Sequence, residues 1–227
     1  MAAGLVAGAG LVLHGRATAG ASAHCTTTPA TGPVKIQIVL FDGFEVTDAL
    51  APFDVLKIAN QTGAGLDVSL ITLSDTVDEV TALYGVRVKR TDRFDRSADL
   101  LLVPGAPALW RANTMPAGLA AMLQYWTGEG KTLVTVCTGA VLAARAGVLA
   151  GRTVNTHHAA FDVIKQLGVN LVPARVVDDG NVISSAGVTS GIDLALYLIE
   201  RYAGAQHAIA TEQIVEYERR GTVWRAG

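Results

Sequence analysis

Residues 132–151 read TLVTVCTGAVLAARAGVLAG, and the joint inside this stretch decides the fold. The run from Thr132 to Cys137 is apolar and β-branched, the pattern of a strand buried on both faces of a parallel sheet. Thr138 and Gly139 follow, and an Ala/Leu-rich helical segment then runs from Thr138 to about Ala146. A cysteine on a strand-to-helix turn sits at the positive end of the helix, where unpaired N–H groups favour a thiolate. The arrangement is the cysteine form of a nucleophile elbow, with the N–H of Thr138 available to an oxyanion. Spacing alone leaves a plainer reading open, because a free cysteine closing an apolar strand is usually a small buried hydrophobe.

Working outward, VKIQIVLF from Val34 reads as a buried strand and TDALAPFDVLKIANQTG as the helix after it. DVSLITLS is a second strand, VTALYGVRVKRT a hairpin or bulged pair around Gly85, and DLLLVPG a further strand. MPAGLAAMLQYWTGEGK is a helix stopped by glycines. Beyond the elbow come a short strand at RTVNT, a helix at HHAAFDVIKQLG, and the pair ARVVDDGNVISSA turning on Asp179-Gly180. The helices TSGIDLALYLIERYAG and AQHAIATEQIVEYERR close the chain. Alternating strands and helices predict an α/β three-layer sandwich, with a mainly parallel sheet and helices on both faces, as one domain over residues 34–227.

Composition narrows the function. Of 227 residues, 50% are hydrophobic and 17% charged, and the net charge is -2. Nothing here offers a basic surface to nucleic acid or anionic lipid. No apolar run approaches the ~20 residues of a membrane span. Residues 1–33 are Ala/Gly/Thr-rich, and Ala21-Ser22-Ala23 gives the small-x-small pattern of a leader cleavage site. No basic residue precedes the apolar stretch, as a signal peptide requires, so the segment is expected to be either a leader or a flexible extension. Export follows from the first reading and a cytoplasmic location from the second. Cys25 lies in this segment; with it removed, Cys137 is the one remaining thiol and no intrachain disulfide forms.

In such a sheet, ligands bind at the carboxyl ends of the strands. Pro104-Gly105-Ala106 follows a strand of the same kind, and Gly105 there lets a backbone N–H approach a ligand closely. Gly105 and Ala106 are therefore candidate oxyanion or substrate-binding positions beside Thr138. Asp48 reads from spacing as a helix-cap or first-turn carboxylate.

The stretches VPGA, VCTGAVLAARAGVLAGRTVNTHHAAFDVI, VVDDGNVISSAGVTSGIDLALYLIER and DALAPFDVL resemble the ThiJ/PfpI superfamily, of class I glutamine-amidotransferase-like fold. The likeness runs from about Val34 to Glu218 and is strongest to the isonitrile hydratase branch and to the ligand-binding domain of AraC-type regulators. It implies a nucleophile at Cys137, an acidic partner at Asp48, a catalytic threonine at Thr138, a homodimer and no cofactor; no metal is expected, because the adjacent His157 and His158 point in different directions on a helix. His157 matches the histidine of a family motif and is carried as a site neighbour; read alone, a histidine at a helix start is more often a cap or surface residue. Ala106 replaces the family's usual second glycine, Thr138 stands where protease-like members have histidine, and the late His-Pro-Glu of amidotransferases is absent.

The resemblance implies a hydro-lyase that adds water to an isonitrile through a Cys137 thioimidate. Its alternatives are a small-molecule-sensing domain lacking the regulators' DNA-binding part, or a glyoxalase or deglycase acting on small aldehydes. The expected partner is a small-molecule substrate, not nucleic acid.

Overall fold

The computed structural model describes Met1 and residues 32–227, so the leader reading and Cys25 lie outside the described residues. A seven-stranded mixed sheet carries the chain. Its strands are β1 (Val34–Leu40), β2 (Leu66–Thr72), β5 (Leu100–Val103), β6 (Thr132–Thr135), β9 (Val176–Asp178), β10 (Val182–Ser185) and β11 (Val223–Arg225), in the order β11-β9-β10-β6-β5-β1-β2. From β10 across to β2 every pairing is parallel, while β9 runs antiparallel to β10 and β11 parallel to β9. The apolar runs lie where their sequence demands: every residue of β5 and β10 is buried, and β6 sits between them in the centre.

Two groups of helices surround the sheet. In the first, α1 (Val46–Ile58), α6 (Ser190–Ala203) and α7 (Ala205–Val215) pack on one another; in the second, α4 (Gly139–Arg145) contacts α3 (Leu119–Gly128) and α5 (Phe161–Gln166). Gly139 through Ala144 are all buried, so the elbow helix packs on every side, as its Ala-rich composition allows.

Several details differ from the sequence expectation. The short helix α2 (Pro107–Arg111) follows directly on Ala106, with Pro107 at its start, a position that needs no N–H. VTALYGVRVKRT forms the hairpin expected of it, β3 (Glu79–Thr81) antiparallel to β4 (Arg87–Lys89), but as a sheet of its own. The strand at RTVNT shortens to β7 (Thr153–Val154), which pairs with β8 (Asn170–Leu171) away from the main sheet. The last helix stops at Val215, well before Arg220, because Glu216 takes a left-handed conformation with φ 49 and ψ 45. The chain then returns as β11, adding a strand beside β9.

Candidate active site

β5 and β6 end side by side, and the residues after them build the site. Cys137 stands between β6 and α4 with φ +57, a left-handed conformation that costs a non-glycine residue energy. Three bonds hold it there. Its N–H donates to Ala186 O at 3.0 Å, the Gly139 N–H donates to Val136 O at 2.9 Å, and the buried Thr156 hydroxyl donates to the Cys137 carbonyl at 2.8 Å. Gly139 is required on steric grounds, since a Cβ there would lie 2.3 Å from Val103 O.

Asp48 lies in the first turn of α1 but does not cap it; Glu45 does, accepting the Asp48 N–H at 2.9 Å. This frees the Asp48 side chain to turn inward, where it is 0% exposed and faces the Cys137 thiol. Oδ2 accepts the Gly105 N–H at 2.9 Å, and Oδ1 has no partner. Among the described residues, no cation touches the carboxyl. Burial, reinforced by the negative Glu45, pushes its pKa up to about 8. Burial first, then the facing Asp48 charge, also pushes the Cys137 thiol up, to about 12, against the opposing pull of the Val188 and Thr138 N–H groups. The two side chains therefore titrate as one dyad, which is mostly protonated at neutral pH.

Gly105 and Ala106 are both at the site, with N–H groups already engaged. Gly105 donates to Asp48, and Ala106 donates to Thr138 Oγ1 at 3.0 Å, so these residues hold the site's side chains in place. Gly105 is hemmed in: a Cβ would lie 2.6 Å from Asp48 Oδ2 and 2.9 Å from Thr138 N. The donors that face the sulfur are the N–H groups of Thr138 and Val188. Val188, with φ +41, was not among the candidates read from the sequence. Neither was Thr156, although it adjoins His157 in the motif carrying the resemblance.

His157 packs against the same strap of backbone, since a Cβ on Gly187 would lie 2.3 Å from its Cδ2. Its Nδ1 accepts the Ala159 N–H at 3.1 Å, capping the turn at 158–160, so the cap reading describes its backbone role. Burial, His158 and Arg111 hold its pKa down, which keeps the ring neutral. Among the described residues, no three His, Cys, Asp or Glu side chains gather as metal ligands do, and no helix is long and apolar enough to cross a membrane.

A left-handed cysteine between a central parallel strand and a buried helix, with a protonatable acid against it, defines an α/β protein of the nucleophile-elbow class. The chain belongs to the DJ-1/PfpI family, which residues 34–201 match. It is 30% identical to the isonitrile hydratase of Pseudomonas putida over 190 residues, 81% of this chain and 78% of that protein. It is 34% identical to the HTH-type transcriptional regulator CdhR of Pseudomonas aeruginosa over 78% of this chain, spanning only 53% of the regulator's length. The crystal structure of Drosophila melanogaster DJ-1beta shares the fold, with a TM-score of 0.72 at 19% identity over 82% of this chain and 99% of that one.

Proposed function

We propose that the protein is a cysteine-dependent hydratase that converts an isonitrile, R–NC, to the N-substituted formamide R–NH–CHO. The observation that carries this reading is the buried Asp48 carboxyl held against Cys137 without a cation. Similarity to isonitrile hydratase over most of both chains supports it.

The isonitrile carbon accepts a nucleophile only if a proton arrives with it. In the singly deprotonated dyad one proton lies between sulfur and carboxylate. Attack by Sγ draws that proton onto Asp48, which passes it to the carbon, giving the thioimidate and a carboxylate. Thr138 and Val188 N–H groups meet the charge that develops on sulfur. Water held by Asp48 and the Thr138 hydroxyl then adds to the carbon. Asp48 relays one water proton to nitrogen and collects the other as the C–S bond breaks, releasing the formamide and restoring the dyad. A homodimeric assembly, implied by the family resemblance, belongs to the same reading.

The test compares wild type with Cys137→Ala on cyclohexyl isocyanide, with methylglyoxal as a parallel substrate. The account expects formamide from wild type only, at least about a thousandfold above the variant; equal turnover by the variant, or lactate from methylglyoxal as the main product, contradicts it. The similarity to CdhR favours one other reading, a ligand-sensing domain. It would show as isonitrile-dependent thermal stabilisation without turnover.

A further inference from the structure

A second cleft, of about 560 Å³, opens on the strap Ala186–Gly187–Val188. Cys137 is not among the residues lining it, but the strap joins the two: Ala186 O accepts the Cys137 N–H at 3.0 Å, and the Val188 N–H faces the sulfur. Among the described residues, two buried polar side chains lining this cleft each have one atom without a hydrogen-bond partner. Asn155, 2% exposed, has no partner for Oδ1, and Ser190, 0% exposed, has none for Oγ. Buried polar atoms without partners are uncommon and costly, and two in one cleft point to a ligand that pairs them.

The hydrogen bonds already present fix what is left over. Asn155 Nδ2 donates to Ala174 O at 2.5 Å, which orients the amide and leaves Oδ1 as an acceptor. His157 Nδ1 accepts from Ala159, which puts the proton of the neutral ring on Nε2 as a donor. The charge of Arg175, also on the wall, is taken up by Asp193 at 2.5 Å. One acceptor, one donor and a hydroxyl, with no uncompensated charge, match a neutral molecule bearing an N–H and a carbonyl. Phe161, Pro173 and Val188 offer apolar wall to its substituent.

We propose that this cleft binds a small secondary amide, its N–H donating to Asn155 Oδ1 and its carbonyl accepting from His157 Nε2 and the Ser190 hydroxyl. A secondary formamide is the product of the proposed hydration, and on that reading the cleft retains product. An isonitrile has no N–H and leaves Asn155 unpaired, so the cleft selects product over substrate.

Calorimetric titration of the full chain with N-cyclohexylformamide, and with its N-methyl tertiary analogue, tests this without any turnover. The secondary amide is expected to saturate and the tertiary one to bind about tenfold more weakly or worse. Ser190→Ala is expected to weaken the secondary amide about five- to tenfold without lowering the thermal midpoint, and Ala174→Phe, which fills the cleft, to abolish binding. Equal affinity for both amides, wild-type affinity in both variants, or no saturation overturns the proposal. A chain that binds the amide in this pattern but hydrates no isonitrile keeps the cleft and loses the hydratase; the reverse result does the opposite.

Discussion

Asp193 and Asp48 each stand in the first turn of a helix, and each is buried, yet their surroundings are opposite. Asp193 meets a cation and two further donors: Arg175 Nε at 2.5 Å, the Tyr217 hydroxyl at 3.0 Å and the Arg220 N–H at 2.7 Å. That carboxylate ties α6 to the chain leading into β11, and its charge is fully answered. Asp48 meets one N–H, a thiol and a negative neighbour, so its cheapest state at neutral pH is the protonated one. The pair separates a carboxylate that holds the fold together from one that, under the proposed function, stores a proton for chemistry.

Removing each acid gives the largest contrast. Asp48→Asn keeps the shape but cannot pass a proton, and turnover on the isonitrile should fall about a thousandfold while the protein stays folded. Asp193→Asn should do the reverse. It strands Arg175 and costs about 3–5 kcal/mol in urea unfolding, with turnover per folded molecule nearly unchanged. Equal losses of activity in the two variants would erase the distinction.

Gly105→Ala comes next. Its Cβ would meet Asp48 Oδ2, Thr138 Oγ1 and the Thr138 N–H, so the acid must move from the sulfur. Turnover should drop about a hundredfold, with about 1–3 kcal/mol of stability lost to overpacking.

The stability difference between Asp48→Asn and wild type should also depend on pH. The folded pKa of Asp48 is raised to about 8 from an unfolded value near ~3.9. Its contribution to stability is therefore fully present below pH ~4 and is lost as pH rises through about 8. Melting curves should show the variant gaining on wild type from pH 5 to pH 8.5; a constant gap contradicts the shift. The smallest effect is expected at Thr156→Val, which removes the hydroxyl that anchors the Cys137 carbonyl, at about 1–2 kcal/mol and a few-fold in turnover.

The sequence made parts of this legible for physical reasons. β5 is a continuous apolar run, β1 is apolar and buried from Ile38 to Leu40, and β6 is an apolar, β-branched run, as strands covered on both faces require. The Asp179-Gly180 turn marked the β9–β10 hairpin, where Gly180 takes φ +78. β11 was hidden because three residues after an apparent helix carry no period; its partners in β9 lie far back in the chain. At the site, Cys137 was visible from the strand-to-helix joint, whereas Asp48 needed the family resemblance, since spacing cannot tell an outward cap from an inward acid. The Val188 N–H was invisible, because it is a backbone atom aimed by a left-handed turn that valine rarely adopts.

The central claim is that Cys137 and Asp48 hold their protons jointly, and the pH dependence of alkylation at Cys137 tests it most directly. Wild type and Asp48→Asn are treated with iodoacetamide, and the Cys137 peptide is followed by mass spectrometry, which separates it from Cys25. The account predicts a wild-type rate that rises through a midpoint near pH 8, the value of the dyad's first proton, and a variant in which that step is absent. Superimposable profiles in the two proteins would contradict it.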